Sequence, residues 1–442
     1  MRAGKRNISN SIIGDIVNNT YEKQIKHREQ CRFCGSHKTV KFGFNLIKNE
    51  KKQRYWCKDC NAKFTPNSEL INIKPLKSYN KYQDLHYENH ERVTKISKLV
   101  KKTVYPFIDL KLHYTAKYKK KDFLNLLTHT SVTHDFTENS SKIFKVNRNN
   151  SPTAHSLLYH LSKLKINSVM EMFMKASEEI FKLAEKNNAF ERRKLDVAID
   201  FHDIPYWGDR KNPMLVRTPK ERGTTFAFRF ATIAIVENNI QFTLLAIPVS
   251  PLDKICDVVD YLIGYTKNLI PIDTVYLDRG FYSSEVIDVL KEHNVNFLMV
   301  AVRNQRIKRL LRENYHRKII DYTMGKSTDF KIVITEKDGD KHAFATNLNL
   351  GLKRRFLYLY KLYSKRWNIE TGYRLMDHDF KARTTSQKYV VRLFYFLFCV
   401  LLYNLWIISN IILASWMLRV IPKKPLVSAK YFGKVFIDID PG

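Results

Sequence analysis

The stretch YLDRGFYSSEV, residues 276–286, holds one aspartate at the end of an apolar run, directly before Arg-Gly-Phe-Tyr. DTVYLD predicts a strand that ends at Asp278, and SSEVIDVLKEH predicts the helix that follows it. Asp278 is therefore either a turn residue at the end of a strand or one part of a metal site whose other parts lie far away in the sequence. The segments on both sides decide between these alternatives.

The segments around Asp278 alternate between predicted strands and helices. KLDVAIDFHDIPYW predicts a strand with Asp200 at its carboxyl end, and FAFRFATIAIVENNIQFTLLAIPV predicts two long strands joined at Glu237-Asn238-Asn239. PLDKICDVVDYLIGYTKNL predicts a helix, and FLMVAV predicts another buried strand. This order indicates the mixed sheet of a ribonuclease-H-like fold, in which the first and fourth strands lie side by side. We therefore expect Asp200 and Asp278 to meet at neighbouring strand ends.

A third acid follows in a long predicted helix, KRRFLYLYKLYSKRWNIETGYRLMDHDFK, residues 353–381. Glu370 is the best candidate, because aromatic and charged side chains recur around it at steps of three and four residues and so share one helical face. These residues are Tyr363, Arg366, Glu370, Arg374, Asp377 and Lys381. A solvated charged face is the alternative, but it explains neither the aromatics nor the two strand-end acids. Carboxylate oxygens suit Mg²⁺, which keeps waters and accepts phosphate oxygens.

Two CxxC pairs mark a separate segment near the N-terminus. Cys31, Cys34, Cys57 and Cys60 form a CxxC-x22-CxxC arrangement, and two such turns can supply four thiolates to a tetrahedral Zn²⁺ site. The residues between the pairs alternate as in a hairpin. Redox-active CxxC pairs are the alternative, but these usually occur singly within a βαβ pattern. The sequence therefore predicts a zinc ribbon, and the basic residues within it favour contact with DNA.

The charge of the whole chain points to a polyanion as partner. Lys and Arg number 76 against 43 acids, a net charge of +33 over 442 residues. Nucleic acid is the favoured polyanion, ahead of a membrane surface, and a lysine-rich solvated surface is the alternative. VTKISKLVKKTVYPF sets four lysines at helical spacing in a basic region that we interpret as a DNA-binding helical unit or a spacer. The four are Lys95, Lys98, Lys101 and Lys102.

The residues above resemble the DDE transposases of insertion sequences, in particular the subgroup with the signature Tyr-x2-Arg-x3-Glu-x6-Lys. Tyr363, Arg366 and Glu370 match that signature at the required spacings. The run Asp-Arg-Gly-Phe-Tyr from Asp278 matches the family's second-aspartate motif, and Asp200 stands where the first aspartate belongs. The resemblance covers about residues 191–420. It departs from the signature at the lysine position, which is Asp377, with Lys381 one helical turn further on.

The resemblance implies Mg²⁺-dependent cleavage and transfer of DNA strands. Asp200, Asp278 and Glu370 would hold the metal, for which Mn²⁺ can substitute, and would be the catalytic residues. Four residues would contact DNA, of which the first two grip a phosphate of the transposon end: Tyr363, Arg366, Arg374 and Lys381. The implied partners are the transposon ends and target DNA, bound by a homodimer. A nuclease of the same fold, such as a junction resolvase or a domesticated transposase, is one alternative, and a zinc-ribbon transcription regulator is another.

The sequence thus predicts an α/β chain in four parts. A zinc ribbon with a basic arm covers residues 1–66, and a basic helical region covers 67–190. The ribonuclease-H-like domain covers 191–302 and 356–442. A β-rich insertion, residues 303–355, lies within that domain and contains a hairpin, FKIVITEKDGDKHAFAT, that turns at Asp338-Gly339.

One segment, residues 393–418, is uncharged and longer than the ~20 residues that span a bilayer. We interpret LFYFLFCVLLYNLWIISNIILASWML as a buried core helix, because Asn404, Ser409, Asn410 and Ser415 dilute it and a membrane role would leave the acids and cysteines unexplained. The remaining cysteines, Cys256 and Cys399, are predicted to be buried thiols. This cysteine usage and the N-terminus, which lacks the apolar core of a signal peptide, predict a cytoplasmic, nucleoid-associated protein.

Overall fold

The computed structural model divides into two compact units, residues 1–82 with 414–423 and residues 83–413 with 424–442. It describes residues 29–31, 36–47, 50–59, 61–65, 81–147, 151–187, 189–190, 194–237, 240–313, 318–325, 328–337, 339–349, 354–418, 422 and 424–438.

The smaller unit is built on a three-stranded antiparallel sheet. Its strands are β1 (Thr39–Ile47), β2 (Glu50–Cys57) and β3 (Lys63–Phe64). β1 and β2 pair from Thr39 opposite Cys57 to Ile47 opposite Glu50, with an irregularity where Gly43 takes a positive φ of 71°. Glycine adopts this backbone conformation without a steric penalty. The hairpin expected between the two CxxC pairs is therefore present.

The larger unit begins with five helices. They are α1 (Lys81–Val104), α2 (Lys120–Val132), α3 (Thr137–Asn147), α4 (Ala154–Ser162) and α5 (Ile166–Lys186). The basic face expected on α1 is incomplete, because Lys101 is fully buried. Its ammonium group lies 3.4 Å from Asn125 Oδ1 and 4.6 Å from the centre of the Phe436 ring. A polar oxygen and an aromatic face together make this burial tolerable.

A nine-stranded mixed sheet forms the centre of the larger unit. Its order is β10-β11-β12-β9-β8-β4-β6-β5, and β7 pairs with β6. The pairs β4–β8 and β8–β9 are parallel, and the others are antiparallel. The strands are β4 (Leu195–Pro205), β5 (Val216–Glu221), β6 (Thr224–Glu237), β7 (Ile240–Val249), β8 (Ile272–Leu277), β9 (Asn296–Val300), β10 (Lys318–Met324), β11 (Thr328–Lys337) and β12 (Asp340–Thr346). The mixed sheet expected from the sequence is thus present.

Two edge strands, β5 and β10, were not expected from the sequence. β5 carries Pro219 and mostly exposed residues, and such strands are tolerated at an edge because the edge needs fewer backbone donors. The expected hairpin within 303–355 is β11–β12. It continues the main sheet, since Phe344 of β12 pairs with Val300 of β9. Two turns were expected from the sequence, at Glu237-Asn238-Asn239 and at Asp338-Gly339. Asn238, Asn239 and Asp338 lie outside the described residues.

Seven further helices complete the larger unit. They are α6 (Ile255–Leu269), α7 (Ser284–Glu292), α8 (Gln305–Glu313), α9 (Arg354–Tyr363), α10 (Trp367–Leu375), α11 (Tyr389–Met417) and α12 (Ala429–Asp438). The single long helix expected over 353–381 is instead interrupted. A 3₁₀ turn over 364–366 separates α9 from α10, and a π-helical turn follows α10 over 376–380. The 3₁₀ turn contains Arg366, and Glu370 is the fourth residue of the helix that follows it.

The apolar segment forms the core helix α11. It is the one helix in the described part of the chain that is long and apolar enough to cross a membrane, and 89% of its most apolar window is buried in the protein. Asn404 bonds to both the backbone N–H and the carbonyl of Thr243 on β7, at 3.1 and 2.8 Å. An asparagine with both ends of its amide satisfied by a strand is characteristic of a protein core. This burial agrees with the interpretation of the segment as a core helix.

Candidate active site

The two aspartates meet because β4 and β8 are parallel neighbours. Ile199 pairs with Leu277, so Asp200 and Asp278 follow the last paired residues of the two strands. β8 ends at Leu277, but β4 does not end before Asp200 as expected and continues to Pro205, because it remains paired with β6. A 3₁₀ turn, Arg279–Phe281, leads the chain away from Asp278. The Phe281 ring of that turn stacks on Phe201, with ring centres 4.7 Å apart. The expected side-by-side arrangement of the two strands is thus present. The stacked rings of Phe201 and Phe281 connect β4 to the turn after β8.

Glu370 joins the two aspartates through a shared arginine. Arg366 Nη1 lies 3.1 Å from Asp200 Oδ2, and Arg366 Nη2 lies 2.5 Å from Glu370 Oε1 and 4.0 Å from Asp278 Oδ1. Three acids that are 78 and 92 positions apart (278 − 200; 370 − 278) therefore converge on one guanidinium group. The sequence placed these acids together, but it did not predict the arginine between them.

The three carboxylates differ in their exposure. The side chain of Asp200 is 15% exposed, whereas those of Asp278 and Glu370 are 48% and 55% exposed. Burial raises the pKa of Asp200 to about 6, although Arg366 acts to lower it. Burial removes water from the charged form, and the two neighbouring carboxylates add to the effect. Asp200 is thus the deep member of the cluster, and the other two face solvent.

Two tyrosines hold the strand end and the helix together. Tyr373 of α10 donates a hydrogen bond to the backbone carbonyl of Asp200 at 3.2 Å and also contacts the Thr232 hydroxyl at 2.5 Å. Tyr363 is buried and donates to the Leu277 carbonyl at 3.4 Å, and burial raises its pKa to about 12. Phosphate contact by Tyr363 and Arg366 stays a prediction, since both side chains have partners within the protein.

A second buried charge cluster lies beside the first, and the sequence reasoning missed it. Lys365 bonds to Asp196 and lies 3.6 Å from Glu237 Oε2, and the side chains of both acids are 4% exposed. Tyr276 donates to Asp196 Oδ2 at 3.2 Å. Asp196 stands four residues before Asp200, on the same face of β4. Adjacent cations of one 3₁₀ turn, Lys365 and Arg366, therefore anchor it to successive acids of one strand. The sequence signal for this cluster was the pair of acids on one face of β4, Asp196 and Asp200, together with the adjacent cations Lys365 and Arg366.

The carboxylate cluster suits a divalent cation in charge and donor type. Three carboxylates and one guanidinium give a net charge of −2 (−3 + 1), and oxygen donors are those that Mg²⁺ prefers. Arg366 Nε is buried without a hydrogen-bond partner, so the carboxylates do not fully satisfy the guanidinium. Across the described residues, no three His, Cys, Asp or Glu side chains are spaced as a metal site. A cation would therefore require Arg366 to move.

The residues beyond Glu370 form a polar network on the π-helical turn. Asp377 lies 3.3 Å from His202 and 2.8 Å from Lys381. Burial acts to raise the pKa of Asp377, but the contacts with His202 and Lys381 lower it overall. Lys381 thus has a carboxylate partner one turn away, whereas Arg374 is exposed and reaches only the Thr371 hydroxyl, at 3.5 Å. Contact of Arg374 and Lys381 with DNA stays a prediction.

Two of the four cysteines predicted to bind zinc lie within the described residues. Cys31 and Cys57 are both buried in one cluster with Phe64. The N–H of Cys31 donates to the Ser36 carbonyl at 2.8 Å, and the N–H of Cys57 donates to the Ala62 carbonyl at 2.9 Å. Each cysteine therefore donates its N–H to the carbonyl five residues later, in the same way on both sides of the hairpin. Cys34 and Cys60 lie outside the described residues. Of the other cysteines, Cys399 is buried as predicted, whereas Cys256 is partly exposed.

Comparison with known proteins identifies a related domain. Residues 258–405, about a third of the chain, match the family model described as "Transposase DDE domain". A piggyBac transposase in a synaptic complex with hairpin DNA aligns with 77% of this chain and 76% of its own, at 11% identity and a TM-score of 0.49. Curated proteins gave no match. The matched residues include Asp278 and Glu370 but not Asp200, so the region similar to a transposase domain contains two of the three acids.

Proposed function

We propose that this chain is a DNA transposase of an insertion sequence, which binds the ends of the element and cleaves and transfers its strands with the help of Mg²⁺. The observation that carries the proposal is the convergence of Asp200, Asp278 and Glu370 on Arg366. A transcription regulator would not need three acids at one strand edge. The alternative nuclease would use the same acids, so only strand transfer separates it from a transposase.

Asp200, Asp278 and Glu370 would hold the divalent cation. When bound, Mg²⁺ or Mn²⁺ would polarise a phosphodiester and promote in-line displacement by water and then by a 3′-hydroxyl. The proposed site lies between three elements, because Asp200 is on β4, Asp278 directly follows β8 and Glu370 is on α10 after the 3₁₀ turn. Tyr363 and Tyr373 keep the strand end and α10 in register through their bonds to the carbonyls of Leu277 and Asp200. Arg366, when it leaves the carboxylates, is available to a phosphate oxygen.

The partners that follow from this function are the element's ends and a target duplex. Double cleavage and joining of two ends favour a homodimer on DNA. The core helix α11 is buried, so we assign no role at a membrane. A DNA-acting enzyme of this kind is expected in the cytoplasm, associated with the nucleoid. The N-terminal segment, with Cys31, Cys34, Cys57 and Cys60, is proposed as a zinc ribbon that adds DNA contacts.

The proposed function predicts selective and salt-dependent DNA binding. With the net charge of +33, affinity for duplex DNA should fall by about 10³ or more between 50 and 200 mM salt if six or more phosphates are neutralised. Competition titrations in Ca²⁺ should favour the element's own end over random duplex, and Mg²⁺ should then allow strand transfer into a target plasmid. Equal affinity for the end and random duplex would contradict the proposal, and cleavage without transfer would favour the nuclease.

If the N-terminal segment is a zinc ribbon, we expect one tightly bound Zn²⁺ per chain. Because thiolate ligands contribute folding free energy, chelation should unfold residues 28–66 and leave the larger unit folded. Elemental analysis of purified protein should return zinc, and limited proteolysis after chelation should cut only the N-terminal segment. A Cys256→Ser variant serves as the control and should keep its zinc. Metal-free protein with an intact N-terminal segment would disprove the ribbon.

A further inference from the structure

A basic groove opens beside the acid cluster, within the larger unit. It has a volume of about 1210 Å³, above the roughly 300–1,000 Å³ of typical small-molecule sites. Its walls come from the α2–α3 turn, the end of β4, the chain that follows α10, the start of α11, and α12. The cationic residues that line it are Arg222, Arg374, Lys381, Arg383, Arg392, Lys430 and Lys434. Seven cations thus face two carboxylates, Asp377 and Asp379.

Most of these cations lack a partner that would neutralise them. Within the described part of the chain, Arg374, Arg383, Lys430 and Lys434 form no ion pair, and all four are exposed. Lys430 and Lys434 stand four residues apart on α12, where like charges repel one another. Burial and then the positive charge of Arg383 lower the pKa of His134, which lies in the same groove. The groove therefore carries a positive potential that a polyanion would relieve.

The groove begins close to the acids. Arg374 lies four residues beyond Glu370 on α10, a rise of about 6 Å. Ile204 lines the groove on β4 and stands four residues beyond Asp200, about 13 Å along the strand. The far wall is held in place by the backbone, since the N–H of Arg383 donates to the Asp135 carbonyl at 2.9 Å. A strand lying in the groove would thus run directly to the carboxylates.

We infer that this groove binds the phosphate backbone of duplex DNA next to the cleavage point, with Arg383, Lys430 and Lys434 as the contacts. The inference rests on the proposed function and adds to it the surface and the residues that hold the duplex. These three residues stand outside the Tyr-Arg-Glu signature. None of the three contacts the carboxylates around Arg366, so they would hold the substrate without taking part in the chemistry. Arg392 serves the fold instead, because it bonds to the Ser386 carbonyl and stacks on Tyr206.

The first test uses the unaltered full-length chain. Lysines are acetylated by a dilute reagent with and without a 30-base-pair duplex, in Ca²⁺ so that the DNA stays intact, and reactivity is read by mass spectrometry. Lys430 and Lys434 should be slowed at least about threefold by the duplex. Lys175, Lys254 and Lys291, which are also exposed but do not line the groove, should not change. Equal protection of the two sets, or protection of the second set alone, would overturn the inference.

The second test compares two triple variants with the same change in charge. Arg383→Glu, Lys430→Glu and Lys434→Glu together should reduce the slope of log affinity against log salt by about 2 to 3, since each phosphate contact contributes about 0.9. The control with Lys175→Glu, Lys254→Glu and Lys291→Glu should change it by less than about 1. Equal slopes for the two variants overturn the groove as a binding surface. Circular dichroism on both variants checks that each is folded.

The outcomes separate this inference from the proposed function. If the unaltered protein cleaves and transfers the element's ends while the groove variant keeps its slope, the function stands and the groove is wrong. If the slope falls as expected but no cleavage is found in Mg²⁺, the groove binds DNA and the transposase assignment fails. A protein that binds no duplex at low salt overturns both.

Discussion

Replacing Asp278 or Glu370 by its amide should reduce Mg²⁺-dependent cleavage by a factor of at least about 10³. That is the loss seen when an electrostatic element of a catalytic site is removed. Asp278→Asn and Glu370→Gln keep the size and shape of the side chain but remove a negative charge from the cluster around Arg366. Because the side chains of Asp278 and Glu370 are about half exposed, neither change should unfold the protein. Cleavage of a supercoiled donor plasmid is the measurement.

Measuring DNA binding by the two variants distinguishes a loss of catalysis from a loss of the folded site. Both variants should bind the element's end as tightly as the unaltered protein, because the groove cations and the N-terminal segment are untouched. Ca²⁺ should support binding without cutting, since its larger and looser coordination shell positions the attacking oxygen poorly. Asp273→Asn and Glu285→Gln are the matched controls near Asp278 and should cost little. If Glu370→Gln cuts at the wild-type rate, or if Asp273→Asn is as damaging as Asp278→Asn, the assignment is wrong.

The strand-end acids could be predicted because local pattern and element order both constrain them. Each aspartate follows an apolar run, and a mixed sheet of this order makes the first and fourth strands neighbours, although β4 continues past Asp200 to Pro205. The pairing of Ile199 with Leu277 places the two aspartates as expected. Glu370 was predicted from helical spacing, although a 3₁₀ turn over 364–366 interrupts the helix. The predicted spacing still holds, because the 3₁₀ turn replaces only one turn of α-helix.

The partners of the cationic residues could not be predicted, because partners come from distant parts of the chain. Arg366 was assigned to a phosphate, and the structure turns it toward three carboxylates. Lys101 was assigned to an exposed basic face, and it packs against Asn125 and the Phe436 ring instead. Lys365 meets acids on two strands. A lysine or arginine on a helix has the same local sequence signal whether it faces water, DNA or a buried acid. Only the tertiary fold distinguishes these cases.

Arg366→Met should destabilise the metal-free protein and make its stability depend on divalent ions. Arg366 is buried and contacts all three carboxylates, so its loss leaves a net charge of −3 where the unaltered protein has −2. Removing one partner of a buried ion pair costs about 3–5 kcal/mol. The half exposure of Asp278 and Glu370 screens part of this, so we expect about 3 kcal/mol at pH 8. Urea denaturation gives the free energy of unfolding.

The loss of unfolding free energy in Arg366→Met should depend on pH, because Asp200 titrates. Its pKa in the folded protein, about 6, lies above the value of 3.8 for an unperturbed aspartate, so the folded state binds more protons and stability falls as pH rises between those values. Arg366 acts to lower this pKa, so the variant should raise it further and extend the fall to higher pH. At pH 5 Asp200 is mostly protonated in both proteins. The difference in unfolding free energy should therefore be smaller at pH 5 than at pH 8, by about 1 kcal/mol or more.

Divalent ions should reverse the effect of Arg366→Met. A cation that binds only the folded state at 100 times its Kd adds about 2.7 kcal/mol. Ca²⁺ at pH 8 should stabilise the variant more than the unaltered protein, because in the latter the guanidinium competes for the same carboxylates. Arg374→Met is the matched control: it lies eight residues beyond Arg366, on α10, is exposed, and among the described residues its side chain reaches the Thr371 hydroxyl. If Arg366→Met loses no more stability than Arg374→Met, and Ca²⁺ affects both alike, then the three acids do not form one site, and a shared cation between them must be abandoned.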